Sequence, residues 1–408
     1  LSTGQPDGVP LIDILDKVVT PMGSRLLRKW VVLPLKEKTA IEVRLARVTG
    51  LLSAEALLET LVGHLENIGD LERLISKVAT GRINPRELHQ LKNSLQPLAP
   101  IRALLENSED PSLQEMAAEF NDHKGFIEHL ERHLTDEPPM LLHQGNVIRA
   151  GIDAALDEYR SLAYSGKDYL LGIQKREAAQ TGISSLKIAF NSVFGYYLEV
   201  SNTHKDKVPE GWIRKQTLVN AERYITEELK VYEEKILKAE SELGGIENRL
   251  YQELVQFAKT HMGPVQRDAR TVATLDCLSN FAKIAKQHDY VCPTLSDASI
   301  IDIKGGRHPV IERLMVPGES YVPNDLYLDS EAQQIMIITG PNMAGKSALL
   351  RQTALIVIMA QMGSYVPAGY AKMGITDKIF TRVGASDNLS RGESTFMVEM
   401  TETASILN

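Results

Sequence analysis

Residues 335–347 read Ile-Met-Ile-Ile-Thr-Gly-Pro-Asn-Met-Ala-Gly-Lys-Ser. An apolar run precedes the pattern Gly-x-x-x-x-Gly-Lys-Ser, and a new periodic segment follows it. This order of strand, glycine-rich turn and helix is typical of a phosphate-binding loop. The backbone N–H groups of such a loop surround phosphate oxygens, and the next helix presents its positive N-terminus to them. The stretch therefore predicts a ligand that carries phosphate groups.

Each residue of the loop is a candidate for ligand binding. The predicted contacts come from Gly340, Pro341, Asn342, Met343, Ala344, Gly345, Lys346 and Ser347. Lys346 is expected to reach the outer phosphates, and the hydroxyl of Ser347 is expected to be the metal ligand that holds Mg²⁺. The alternative interpretation is a tight turn with a coincidental lysine.

Composition limits the classes of protein that remain. The chain has 408 residues, of which 43% are hydrophobic, and its net charge is −8. It therefore lacks a global cationic field, and a nucleic-acid partner would need a local basic surface. Two cysteines, Cys277 and Cys292, indicate neither a disulfide framework nor a zinc site. The start at Leu1 is what a fragment would show.

The chain shows no sign of a membrane segment. The apolar run Ala354–Ala360 after the loop is far shorter than a bilayer span, and the first residues lack a basic-then-apolar signal pattern. We therefore expect no membrane partner and a cytoplasmic location.

Helical periodicity dominates the first part of the chain. Apolar residues recur at helical spacing across residues 10–135, and a long amphipathic pattern starts at Ile152. A second long pattern starts near Thr226 and continues to Phe257, with Gly244-Gly245 as a weak point. Two long helices around a small β insert are predicted. The alternative is two ordinary core helices with a loop between them.

Short β-type patterns mark the insert and the C-terminal end. In the insert they cover 186–190 and 196–200, with a further candidate at 216–219. Near the C-terminus they cover 300–303, 335–339 and 379–383. The helix from Ser347 to about Met362 is apolar nearly all round and is predicted to be buried. The C-terminal end is thus predicted to be α/β.

The predicted fold class is a multidomain α and α/β protein. We expect a helical core with the first long helix at 1–168, a β insert at 169–230, the second long helix and the return to the core at 231–288, and part of a P-loop NTPase domain at 289–408.

Several segments resemble the MutS family of bacterial DNA mismatch-repair ATPases, in the order of that family and over nearly the whole chain. The resemblance is carried by 339–347, 350–356, 363–368, 384–387, 394–400, 20–27 and 194–200. It implies long lever helices, a small β clamp at their tip and an ATPase domain of the ABC type. It also implies a homodimer that encircles mismatched double-stranded DNA, a nucleoid-associated location and a downstream partner of the MutL type. ATP with Mg²⁺ would be bound between two ATPase domains.

The resemblance assigns further site residues. Tyr321 stands where an aromatic ring packs on adenine, and a base stacked on a ring gains about 1–3 kcal/mol. Ser394 and Thr395 would contact the nucleotide of the dimer partner, although by sequence they fit a helix cap equally well. Candidate DNA contacts of the clamp are Lys187, Lys205, Lys207, Arg214, Lys215, Thr217, Asn220 and Arg223. Acidic residues are interleaved with them, so a merely solvated tip is the alternative.

Two parts of the family pattern lie outside this sequence. One is the N-terminal mismatch-reading domain, and Phe126-Ile127-Glu128 matches its wedge triplet by letter only, because Phe126 fits a core position. The other is the acidic end of a later ATPase strand, so no catalytic residue can be named. We expect the full-length protein to hydrolyse ATP and the 408-residue fragment to be inactive.

Other functions fit parts of the sequence less well than mismatch repair does. One is a MutS-like paralogue that acts on recombination intermediates or ribosomes, and the intact motif Phe194–Val200 disfavours it. Another is a structural ABC-type ATPase that tethers DNA, which would need much longer coiled coils. The last is a helical scaffold whose P-loop is inactive.

Overall fold

Helices are the main element of the described part of this chain, and two four-stranded sheets accompany them there. The computed structural model describes residues 8–191, 195–316, 318–341, 345–381, 400, 403–404 and 406, without the side chains of 162–168 and 240. The fold divides the chain into two units. The first comprises Leu1–Arg73, Ser94–Asp122 and Gly263–Asn408, and the second Leu74–Asn93 and His123–Met262.

The elements follow one another in this order among the described residues. The α-helices are α1 (Leu11–Leu15), α2 (Pro21–Val32), α3 (Lys38–Ser53), α4 (Glu55–Leu65), α5 (Leu71–Thr80), α6 (Pro85–Leu95), α7 (Leu98–Glu106), α8 (Pro111–Ala117), α9 (Lys124–His133), α10 (Ala154–Thr181), α11 (Glu227–Thr260), α12 (Met262–Gln287), α13 (Ile311–Leu314) and α14 (Lys346–Met362). The strands are β1 (Lys187–Asn191), β2 (Gly195–Ser201), β3 (Ile213–Thr217), β4 (Ala221–Ile225), β5 (Thr294–Ser296), β6 (Ile300–Gly306), β7 (Asn324–Asp329) and β8 (Tyr370–Gly374).

In the first unit, α2 begins at a buried junction with α12. The Thr20 hydroxyl caps α2 by accepting from the N–H of Gly23 at 2.9 Å. The buried Asp276 carboxylate accepts from the N–H groups of Val19 and Thr20 at 3.1 and 2.8 Å, and from the Thr20 hydroxyl at 2.6 Å. A Cβ on Gly23 would overlap Oδ2 of Asp276. The junction therefore leaves room only for glycine at position 23.

Replacing Gly23 with Ala is expected to lower the free energy of unfolding by about 2–3 kcal/mol, the usual cost of an overpacked core. The matched control is Gly63→Ala in α4, where an added Cβ meets nothing within 4 Å. That change is expected to stabilise the helix by roughly 0.5–1 kcal/mol. Urea unfolding of both variants checks this. Equal midpoints for the two would contradict a close-packed junction at Gly23.

Two long helices flank the β insert of the second unit, as the sequence predicts. The first, α10, has 28 residues and ends at Gly182, whose φ is 67°. The second, α11, has 34 residues and is capped by Thr226, whose hydroxyl accepts from the N–H of Leu229 at 3.1 Å. It passes through Gly244-Gly245 without a break. At 1.5 Å per residue, α11 is about 51 Å long.

The insert itself is an antiparallel sheet in the order β1-β2-β4-β3. The first two strands are close to the predicted ranges. The predicted strand at 216–219 lies earlier, in β3, and β4 was not predicted. A buried cluster joins β2 and β4 to the long helices: Leu170, Ile173, Ile183, Leu186, Leu198, Val200, Tyr224, Leu229 and Ile236. One face of the sheet is therefore covered by α10 and α11.

Phe126 belongs to the core of the second unit, as expected from its position in the helical pattern. Its side chain is 1% exposed, and its ring stacks on His261 with the centroids 4.5 Å apart. It also lies against Phe257, at a centroid distance of 6.0 Å. A ring packed in this way has no surface to offer a DNA base.

The sheet of the first unit corrects two strand predictions. Its order is β5-β8-β6-β7, with β5 and β8 parallel and the other pairs antiparallel. Residues 335–339 and the described part of 379–383 form no strand. A strand needs a neighbour for its N–H and C=O groups, and this sheet supplies none to either segment. Consequently Ile335 and Ile337 are 81% and 84% exposed.

The helix after the loop is exposed at its start and buried farther along its length. Gln352, Ile356, Val357 and the residues from Met359 to Met362 are buried, whereas Leu350 near its start is 52% exposed. The prediction of a fully buried α14 was thus wrong for its first turns, because its apolar residues there have no neighbouring element to cover them within the described chain.

Candidate nucleotide site and nucleic-acid interface

The phosphate-binding pattern is placed at the start of α14. Gly345 precedes the helix with φ of 79°, a left-handed conformation that favours glycine. Lys346 is the first helical residue, and Ser347 follows it with an exposed side chain. Gly340, where the loop begins, also has a positive φ, of 151°. The two glycines of the pattern thus occupy backbone conformations that other residues rarely adopt.

Lys346 is bonded to its own loop. Its Nζ donates to the carbonyl of Pro341 at 3.2 Å and also to the carbonyl of Gly340. These are neutral acceptors, so the ammonium charge is available to an anion that enters the loop. The N–H groups of the first turn of α14 have no partner within the helix, which leaves them open to the same anion. The loop residues Asn342, Met343 and Ala344 lie outside the described residues.

Tyr321 lies beside α14. Its hydroxyl donates to Oε1 of Gln352 at 2.9 Å. Burial raises the pKa of the Tyr321 phenol, so the group is a hydrogen-bond donor at neutral pH. The ring is half-buried and stands in the loop before β7. This arrangement leaves part of an aromatic surface within reach of a ligand on α14.

His308 is a further residue near α14, and its sequence context gives it no predicted role. Its side chain is buried, and its Nδ1 accepts from the N–H groups of Val310 and Ile311, both at 3.2 Å. Burial lowers the pKa of His308, and Arg351 on α14 lowers it further. A neutral imidazole therefore supports the turn that leads into α13.

The other end of α14 is bonded to α3 and to the segment that follows α2. The amide of Gln361 donates to the carbonyls of Leu35 and Thr376, at 2.8 and 3.0 Å, and accepts from the N–H of Thr376 at 2.9 Å. Arg44 donates to the carbonyl of Met362 at 2.9 Å, and its guanidinium lies 3.5 Å above the centre of the Trp30 ring. A cation at the C-terminus of a helix is stabilised by the helix dipole. Movement of α14 would therefore displace α3 and the segment after α2, which are hydrogen-bonded to it.

The β insert carries the predicted DNA contacts in two groups. Lys187, Lys205, Lys207, Lys215, Thr217 and Asn220 are exposed. Lys215 lies at a β-bulge, where the pairing of β3 with β4 shifts between Arg214 and Gln216. A bulge redirects a side chain out of the regular pleat. Exposure meets the first requirement for contact with a phosphate, and the DNA contacts themselves stay a prediction.

The two arginines are engaged within the sheet. Arg223 lies 3.2 Å from the Glu199 carboxylate, donates to the Gln216 side chain at 2.8 Å and covers the ring of Tyr197. Arg214 is exposed and lies 3.5 Å from Glu222. The guanidinium of Arg223 therefore has a structural task, and any phosphate would have to compete with Glu199 for it.

Two kinds of site are absent from the described residues. No group of three or more His, Cys, Asp or Glu side chains in that part of the chain could hold a metal ion. None of its helices combines the length and apolar character that a bilayer span requires. Ser394 and Thr395 lie outside the described residues, so their predicted contact with a partner's nucleotide stays a prediction.

The pattern Gly-x-x-x-x-Gly-Lys-Ser, with Lys346 as the first residue of α14, is the sequence signature of P-loop proteins. The model of MutS domain III matches residues 2–282, and that of MutS domain V matches residues 336–408. The chain therefore belongs to the MutS family.

Individual relatives agree with this assignment. The DNA mismatch repair protein MutS of Cytophaga hutchinsonii is 60% identical over 404 residues, which are 99% of this chain and 47% of that protein. The protein of the same name from Parabacteroides distasonis is 55% identical over 408 residues, 100% of this chain and 47% of its own. The one from Bacteroides fragilis is 54% identical over 401 residues, 98% and 46% respectively. The chain thus spans about half the length of the curated relatives it matches.

Proposed function

We propose that this chain is the part of a DNA mismatch-repair ATPase that binds ATP with Mg²⁺ at the start of α14 and holds duplex DNA with its β insert. The observation that carries the proposal is the position of Lys346, the first residue of α14, with its ammonium on neutral loop carbonyls. The names of the relatives, all DNA mismatch repair proteins, favour the same activity.

The nucleotide site would be assembled from three parts. Lys346 and the open N–H groups of α14 would bind the outer phosphates, because both offer positive charge in a fixed position. Ser347 would hold Mg²⁺ through its exposed hydroxyl. Tyr321 would stack on the base. When bound, the metal ion neutralises charge on the phosphates, and the residues named here orient them.

DNA would be held through its backbone by the exposed lysines of the insert. Contacts of Lys with phosphate are independent of base sequence and weaken as salt rises. The net charge of −8 means that this attraction has to be local. We further propose that mispaired duplex is the preferred substrate, and that α10 and α11 act as levers that carry the insert as a clamp.

ATP binding would act on DNA binding through a change of conformation. In a homodimer with ATP between two ATPase domains of the ABC type, tighter binding to the closed form draws those domains together. Two hydrogen bonds support this coupling, from Gln361 to Leu35 and from Arg44 to Met362. They join α14, which begins at the phosphate site, to the segment after α2 and to α3. A downstream partner of the MutL type would bind preferentially to the closed form. The four predicted domains, 1–168, 169–230, 231–288 and 289–408, stay part of this proposal.

The proposal is tested with the 408-residue chain by equilibrium titration. We expect saturable binding of ATP in the presence of Mg²⁺, and of a labelled duplex at low salt, while steady-state hydrolysis stays at background. Hydrolysis needs a water molecule held in position and charge stabilisation of the transferred phosphoryl group. None of the site residues named here is assigned to position that water. A chain that binds neither ligand would contradict the proposal. Turnover that Lys346→Ala abolishes would contradict only the expectation that the fragment does not hydrolyse ATP.

A further inference from the structure

The side chain of Gln352 connects α14 to the loop that carries Tyr321. Gln352 is 1% exposed and is six residues beyond Lys346, which is about 9 Å along the helix axis. Its Oε1 accepts the Tyr321 hydroxyl at 2.9 Å. The outer phosphates and the base of an extended nucleoside triphosphate are separated by a comparable length. A single helix thus holds the lysine at one end of this span and the partner of the aromatic ring at the other.

The amide of Gln352 is fixed from its other side by Gly306. A Cβ at Gly306 would lie 2.6 Å from Nε2 of Gln352 and 3.1 Å from the carbonyl oxygen of Asn324. Gly306 is itself paired with Asn324 between β6 and β7. The amide is therefore held between a helix and a strand pair, so the acceptor that Tyr321 uses has a fixed position.

Tyr321 has no comparable support from its own loop. The next residue, Val322, is 76% exposed, and the ring of Tyr321 is half-buried. A phenol ring on an exposed loop samples several rotamers unless its hydroxyl is held. Holding it before the ligand arrives reduces the entropy that binding has to overcome.

We propose that Gln352 is a positioning residue: through the Tyr321 hydroxyl it orients the ring that receives the nucleotide base, and so sets the preference for a nucleotide over a bare polyphosphate. This inference rests on the proposed nucleotide site. It concerns only the base, because Gln352 and Tyr321 lie at the far end of the span from Lys346.

Two variants test it. Tyr321→Phe keeps the ring and removes the hydroxyl, and Gln352→Met keeps a side chain of similar length without an oxygen acceptor. Calorimetric titrations with ATP and with inorganic tripolyphosphate, both with Mg²⁺, report on the whole site and on the phosphate part alone. The Tyr321→Phe variant is expected to fold as the parent does, because it removes one hydroxyl from a loop residue and keeps the ring.

We expect each single variant to bind ATP about three- to tenfold more weakly, in line with the loss of one hydrogen bond, and to bind tripolyphosphate as the parent does. The double variant is expected to lose no more than either single one, since both remove the same bond. The inference is overturned if Tyr321→Phe binds ATP as well as the parent does. It is also overturned if Gln352→Met weakens both ligands equally, which a purely structural role would produce. If the parent protein binds tripolyphosphate but does not prefer ATP, the role of Gln352 is refuted and the proposed phosphate site still stands. If the parent protein binds neither ligand, the proposed nucleotide site is refuted as well.

Discussion

Replacing Lys346 with Ala is expected to weaken ATP binding about 100-fold, which corresponds to roughly 2.7 kcal/mol. The reason is the loss of a charge-assisted bond to the outer phosphates, worth about 1.5–3 kcal/mol. In the unliganded chain the side chain is bonded only to the carbonyls of Gly340 and Pro341 among the described residues. Its removal should therefore leave the unfolding temperature nearly unchanged. Titration calorimetry with ATP and Mg²⁺ measures the effect.

The control for this variant is Lys283→Ala. Lys283 is an exposed lysine of α12 in the same unit, so its loss changes the net charge by the same amount. We expect parental affinity for this control. An affinity of Lys346→Ala within twofold of the control would show that the lysine does not face the phosphates, and the loop would then be a tight turn rather than a nucleotide site.

Charge reversal on the β insert is expected to have the second large effect. With Lys205, Arg214 and Lys215 replaced together by Glu, affinity for duplex DNA should fall at least 100-fold at low salt. The slope of log affinity against log salt should become shallower by about 2.7, because each phosphate that a cation neutralises contributes about 0.9 to it. All three side chains are exposed, so the fold should tolerate the change. Fluorescence anisotropy over a range of salt concentrations measures both quantities.

A matched triple variant separates local contacts from net charge. Lys124 on α9 and Lys235 and Lys238 on α11 are exposed and lie outside the insert, and their reversal to Glu changes the net charge equally. We expect the salt slope of this control to stay within about 0.5 of the parental slope, because charges farther than a Debye length of about 10 Å are screened. An unchanged slope in the insert variant, or equal changes in both variants, would refute a DNA contact by the insert.

The sequence predicts the local elements of this fold well because each has its own pattern. The periodic patterns place the starts of the two long helices at Ile152 and near Thr226. In the structure α10 and α11 begin close to these positions, with capping hydrogen bonds to the side chains of Asp153 and Thr226. The first strands of the insert alternate as strands do. In contrast, β4 reads Ala-Glu-Arg-Tyr-Ile, which carries no strand signal of its own. It forms because β2 and β3 lie on either side of it.

Residues 335–339 show the reverse case. Their β-branched and apolar residues indicate a strand, but pairing is a property of two segments, and no described segment pairs with them. Local preference was therefore sufficient for helices, whose hydrogen bonds are internal, and insufficient for this strand. The same reasoning explains why the last predicted strand, at 379–383, is not formed in its described part.

The residues of the candidate site also fall into two groups, those that a local sequence pattern reveals and those that only a tertiary contact reveals. Lys346 and Ser347 could be found because the loop has a contiguous pattern. Gln352 could not, because one glutamine in an apolar helix gives no hint of Tyr321, 31 residues away. Likewise, nothing in the sequence indicates that Asp276 caps a junction 256 residues distant. Contacts of this kind depend on the tertiary fold, and only the structure reveals them.

The central claim is that a triphosphate binds at the start of α14. A crystal structure of the chain with a non-hydrolysable ATP analogue and Mg²⁺ tests it most directly. We expect the phosphates within hydrogen-bond distance of the N–H groups of Lys346 and Ser347. The ammonium of Lys346 should have moved from the loop carbonyls to the phosphates, and the base should lie on the ring of Tyr321. An empty loop in crystals that contain saturating nucleotide, with Lys346 still on Gly340 and Pro341, would contradict it.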